Sequence, residues 1–170
     1  MLGATGNPGS VSRNSHSPME AGGESEALPG RGRGLETSFA SLCQFIWVQG
    51  EPLPLIYEIG HEIYTQQGID LPVLKRLEVA GLIALEPAGY LKGRFGRHAR
   101  LFYHDKLTKL RFPQAENNRL ELGHVLLTDT GKIHALDMLD ATKPNQAFYE
   151  YVIDRWFRQG MIPSSVLKRR

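Results

Sequence analysis

Apolar residues recur with helical spacing in the first ordered part of the chain. Phe39, Leu42, Cys43 and Ile46 stand at i, i+3, i+4 and i+7, which predicts a helix capped by Thr37 or Ser38 and ending near Gly50. A second helix is expected from Pro54, with Ile56, Ile59 and Ile63 on one face, Tyr57 and Tyr64 beside them and Gly68 as its stop. Asp70 then caps a short third helix. Its inner stripe is Leu71, Leu74 and Leu77, while Lys75, Arg76 and Glu78 point elsewhere and Gly81 closes it.

The spacing then shortens to that of strands. Leu82 to Leu85 reads as a strand, and Gly89, Gly93 and Gly96 mark a loop behind it. Leu101 to Tyr103 and Leu107 to Phe112 read as a hairpin turning at His104 and Asp105. Leu120 to Leu127 is a further strand whose alternation changes parity between Leu122 and Val125, as a bulge near Gly123 requires. Thr128 caps a helix through Ile133, Leu136 and Leu139, and Pro144 opens a last one. In that last helix Phe148, Val152 and Trp156 form one stripe, with Tyr149, Ile153 and Phe157 beside it. The expected fold class is α+β, a winged-helix-like domain: three helices, a small antiparallel sheet with a hairpin, and two C-terminal helices.

Composition divides the 170 residues unevenly. Residues 1–34 are rich in Gly, Ser, Pro, Asn and Glu, with too little apolar surface to offset the entropy of ordering, and are expected to be a disordered tail. Residues 35–162 are expected to form the domain, and 163–170 a basic tip ending in Lys168-Arg169-Arg170. The one cysteine, Cys43, excludes an internal disulfide and reads as a buried small hydrophobe. No apolar run reaches the ~20 residues that cross a bilayer, and the start lacks the apolar core of a signal peptide, so no membrane partner and a cytoplasmic location are expected.

Charge matters through its distribution. Between Leu91 and Arg111, Lys92, Arg94, Arg97, Arg100, Lys106, Lys109 and Arg111 face only Asp105, giving this segment +6 and leaving −4 on the rest of a chain whose total is +2. At the wing of a winged helix such a ribbon would lie beside a phosphate backbone. The candidate nucleic-acid contacts are therefore Lys92, Arg94, Arg97, Arg100, Lys109 and Arg111, with Lys75 and Arg76 on the third helix. The partner expected is DNA or another polyanion. Pro72 and Val73 stand on that helix where a base reader would carry Asn, Gln, Ser or Arg, so binding without strong base specificity is expected. The ribbon also reads as a solvated sheet face paired with Glu116, Glu121 and Asp129, or as the mate of an acidic protein.

Catalytic patterns fail on inspection. His61-Glu62 opens like a zinc-protease motif, but Thr65 occupies the position of the second histidine. Gly131-Lys132 lacks the upstream glycine and following hydroxyl of a phosphate loop, and Asp137 with Asp140 reads as solvated helix charge. The expectation is a binding protein with no catalytic residue, metal or cofactor. The broad stripe of Phe148, Val152 and Trp156 either completes the core or offers a surface for a homodimer or protein partner.

Two strings carry a resemblance. Leu74-Lys75-Arg76-Leu77-Glu78-Val79-Ala80-Gly81-Leu82-Ile83 resembles the recognition-helix exit of winged-helix regulators, and Val125-Leu126-Leu127-Thr128-Asp129-Thr130-Gly131-Lys132 resembles their strand-to-helix junction. Together with Phe102-Tyr103, the Leu120–Thr128 string and Asp154-Arg155-Trp156, they make residues 39–160 similar to the C-terminal part of an uncharacterised bacterial family, a domain of unknown function. That resemblance implies a fold, a bacterial source and a further N-terminal region, and brings no catalytic residue. Two other roles it leaves open are an interaction module in a bacterial assembly and an accessory domain of an enzyme whose catalytic part lies elsewhere.

Overall fold

The computed structural model describes residues 34–166, so the tail expected over 1–34 lies, but for Gly34, outside the described residues, as do the last three basic residues. A compact unit begins at Thr37. Among the described residues the fold is α+β, with five helices and antiparallel sheets. Helix α1 (residues 34–43) carries the expected Phe39, Leu42 and Cys43 inward. It stops seven residues before Gly50.

After a turn at Gln44 and Phe45 come strands β1 (Ile46–Gln49) and β2 (Glu51–Pro54), paired across Gly50 with Gln49 opposite Glu51. Phe45, Ile46 and Trp47 are consecutive and essentially unexposed. A continued helix would have turned one of them to water, whereas a turn at Phe45 followed by a strand end covered on both sides at Ile46 and Trp47 buries all three. The second predicted helix is corrected for a related reason. Pro54 ends β2, and the backbone that follows is held by the Tyr64 phenol, which donates to the Leu55 carbonyl at 2.8 Å and accepts from the Tyr57 amide at 3.1 Å. Only α2 (Glu62–Thr65) is helical there, with the His61 ring accepting from the Ile63 amide at 3.0 Å.

Helix α3 (Leu71–Val79) is capped as expected, Asp70 accepting from the Val73 amide at 3.0 Å. Its inward residues are Val73, Leu74 and Leu77; Leu71 is exposed. Gly81 releases the chain into β3 (Ile83–Phe95), which includes Gly89 and Gly93 of the three glycines predicted to form a loop, while Gly96 lies in the turn beyond it. Its partner is β6 (Asn118–Leu127), from Ile83 opposite Leu127 to Phe95 opposite Asn118. The bulge falls where the parity change requires: Tyr90 opposes Gly123, but Leu91 already opposes Glu121. Gly123 has φ +86°, and a Cβ there would collide with the Ile56 carbonyl, whose oxygen accepts from the His124 amide at 2.9 Å.

Between β3 and β6 the chain makes β4 (His98–Tyr103) and β5 (Lys106–Arg111), the predicted hairpin with its turn at His104 and Asp105. These strands leave the β3–β6 ribbon and join β1, β2 and a late strand, β7 (Ile162–Val166), in a five-stranded sheet ordered β2-β1-β4-β5-β7. The expected domain boundary at 162 would cut β7, whose Pro163, Ser164 and Ser165 oppose Leu110, Lys109 and Thr108.

Helix α4 (Asp129–Leu139) has the predicted Thr128 cap, accepting from the Gly131 amide at 3.0 Å. Ile133 and Leu136, expected inward, are exposed, and Gly131 and Ala135 pack instead. The helix start is tied to the α3 exit, because Thr128 donates its hydroxyl to the Gly81 carbonyl at 2.6 Å and its amide to Leu82 at 3.1 Å. So close an approach admits only small residues. Helix α5 (Gln146–Arg158), capped by Asn145, covers one face of the five-stranded sheet. Trp47 on that face stacks with Tyr103 and Tyr149 and meets Trp156 edge-on at 4.9 Å.

Candidate functional site

Residues directly opposite in antiparallel strands share a face, so the register of the five-stranded sheet assigns every side chain. The face toward α5 takes Ala99, Leu101, Tyr103, Thr108 and Leu110, all buried. The other face carries three cross-strand rows. Val48, Phe102 and Leu107 make the first. Arg100, Lys109 and Ser164 make the second, and His98, Arg111 and Ile162 the third. All of these are exposed except Val48 and Leu107, which are half-buried.

Two features set this face apart. First, among the described residues it holds no carboxylate. Second, Arg100 stands opposite Lys109, an arrangement of like charges that costs stability in a sheet. The acids proposed as their partners are not with them. Among the described residues the ion pairs are Lys132 with Glu51, Arg155 with Glu121 and Glu58, and Arg158 with Asp154, and none involves a cation of this face. The fold therefore concentrates positive charge on one sheet surface and spends its acids elsewhere.

Arg100, Lys109 and Arg111 are thus brought together. Arg94 and Arg97 flank them at one end: Arg94 is exposed near the end of β3 at φ +65°, and Arg97 lies in the turn leading into His98. That turn is clamped by Asn118, only 5% exposed, whose amide donates to the Gly96 and Gln114 carbonyls at 2.9 Å each. Lys92 is not part of the face, because its ammonium donates to Gln49 at 2.6 Å. Lys75 and Arg76 are exposed on α3, which packs on β3 and makes no comparable contact with the hairpin strands, so they form a separate cationic patch. Lys106 is likewise committed, donating to Gln146 at 3.0 Å with its ammonium 4.3 Å from the Tyr149 ring centre.

The proposed interaction surface on the last helix is corrected. Phe148, Val152 and Trp156 have no exposed area, and the Trp156 indole donates to the Tyr57 hydroxyl at 3.1 Å. They face the sheet because α5 covers that side of it. Around them burial pushes the Tyr57 and Tyr64 phenols well above the ordinary range and Tyr103 up to about 12, which suits core hydrogen bonding and not proton transfer near neutrality. Cys43, pushed by burial to about 12, is held as the thiol.

Sequence reasoning missed Phe102 and His98 as members of the cationic face. The usable signal was parity: Phe102 is two residues from Arg100 and His98 two residues before it, so all three share a side of β4. The other aromatics of the basic segment behave differently, Phe95 and Tyr103 being buried while Tyr90 belongs to β3. Comparison of the chain with protein-family models, curated proteins and solved structures finds no match.

Proposed function

We propose that the protein binds nucleic acid through the outer face of β4, β5 and β7, holding phosphates with Arg100, Lys109 and Arg111 and without strong base specificity. The observation that carries this reading is the cross-strand opposition of cations with no acid on the same face among the described residues. Such an arrangement is unfavourable until an anion with closely spaced charges lies across it. Arg97 and Arg94 extend the track at the His98 end. We read the segment from α2 to α3 and into the β3–β6 ribbon as the winged-helix-like part of the fold, with the basic hairpin inserted between the ribbon's strands instead of serving as the wing itself. The directed exit of α3 through Gly81 into β3 and the antiparallel return along β6 support that reading.

The test is a salt-resolved binding titration of a fluorescent oligonucleotide. Neutralising three or four phosphates gives a slope of log affinity against log salt of roughly −2 to −4. Lys109→Glu combined with Arg111→Glu reverses two of the central charges and abolishes binding. Absent binding, or binding indifferent to salt, would overturn the proposal.

A further inference from the structure

We infer that the strand bound on this face is single-stranded, with a base stacked on Phe102; this rests on the reading of the face as a nucleic-acid site. Duplex DNA is read by elements narrow enough to enter a groove, an α-helix or a free two-stranded ribbon. The basic hairpin is neither. β5 is flanked along its length by β7 and β4 meets β1 at Phe102, so the cationic hairpin is built into a sheet and presents a broad surface.

The chemistry of that surface is mixed in an ordered way. Phe102 is 45% exposed beside the half-buried Val48 and Leu107, while the two neighbouring rows carry Arg100 with Lys109 and His98 with Arg111. Successive rows on one face lie about 7 Å apart along a strand. An aromatic row next to cationic rows matches a chain that offers both a flat apolar ring and a phosphate at each unit. A duplex offers its outside only as phosphate and sugar, leaving Phe102 and Ile162, 54% exposed, with nothing to meet. A single strand turns its bases outward, where aromatic side chains on a sheet stack them irrespective of sequence. Among the described residues no carboxylate stands on the face, which completes the charge match.

The experiment uses the full chain and fluorescence anisotropy with a mixed-sequence single strand of about 12 nucleotides, within the span that such surfaces cover, and with the same sequence as a duplex. Wild type is expected to bind the single strand at least about ten-fold tighter than the duplex, and Phe102→Ala to weaken the single strand roughly ten-fold while leaving the duplex unchanged. Phe102→Leu keeps apolar packing but has no aromatic face, so it should lose affinity as Ala does, and Phe102→Trp should restore it. Equal or tighter duplex binding, or unchanged single-strand binding by both Ala and Leu variants, overturns the inference. If Lys109→Glu with Arg111→Glu still abolishes binding in that case, the nucleic-acid reading stands and only strandedness fails. If that double reversal leaves affinity intact, the underlying reading fails as well.

Discussion

Lys109→Glu should move stability and binding in opposite directions. In the native sheet Lys109 faces Arg100 across β4 and β5, with the neutral Ser164 on its other side in β7. The substitution removes a like-charge opposition and creates a carboxylate–guanidinium one, without placing the new charge beside another acid. Cross-strand pairs contribute roughly 0.2–1 kcal/mol in either direction, so reversing the sign moves about twice that. Exposure to water and salt puts this pair at the lower end, giving a gain of about 0.5–1 kcal/mol, or roughly 2–4 °C in Tm. The assay is urea unfolding of wild type and variant at low salt and again near ~1 M salt, where charges are screened over about 3 Å. The midpoint should rise at low salt and the gain should shrink at high salt, while oligonucleotide affinity falls. A lowered midpoint, or a gain that salt does not touch, would refute the claim that this face carries uncompensated repulsion.

Other consequences follow from the packing. Trp156→Ala empties a fully buried site and strips the Tyr57 hydroxyl of its indole donor, so unfolding free energy should drop by about 3–5 kcal/mol, read from denaturant midpoints, with no change from one association state to another. Gly131→Ala would stabilise an ordinary helix by about 1 kcal/mol, yet here the new Cβ collides with the Leu82 carbonyl, so the variant should be less stable than wild type by about 1–3 kcal/mol in the same assay. Burial lowers the His104 pKa from its ordinary 6.5. The unfolded chain therefore takes up that proton first as pH falls, and stability declines as the pH drops below about 6.5 toward the lowered native value. His104→Asn tolerates the turn's φ of +53° and cannot titrate, so its Tm should fall less than wild type's between pH 7.5 and 5.5, values chosen to bracket about 6.5.

What the sequence made legible was local. The Asp70 and Thr128 caps, the Gly81 exit, the turn at His104 and Asp105 and the bulge at Gly123 each rest on side-chain or backbone preferences of a few adjacent residues, and each is present. What it hid was pairing at a distance. Ile46 continues the helical period of Phe39, Leu42 and Cys43, and nothing within that window reveals that Val48 will lie against Phe102. β3 looks like the neighbour of the hairpin because it precedes it, but its partner is β6, beyond the hairpin. The cationic residues were therefore found by counting; their common face with Phe102 follows from parity within the hairpin, whereas the neighbours that widen it into a sheet, β1 and β7, come from segments far apart in the chain. The aromatic stripe of α5 was visible as well. Its burial was not, since the sheet that covers it is assembled from segments far away in the chain.

The two outermost strands of the five-stranded sheet are both interrupted by proline: Pro52 and Pro54 in β2, Pro163 in β7. Proline has no amide hydrogen to offer a further strand, and its ring crowds an incoming backbone. The sheet is thus blunted against lateral growth at both margins, an arrangement that discourages the edge-to-edge polymerisation to which open sheets are prone. On the proposed reading, recognition falls to the broad side of the sheet, and a partner that reads side chains is favoured there over one that adds a strand.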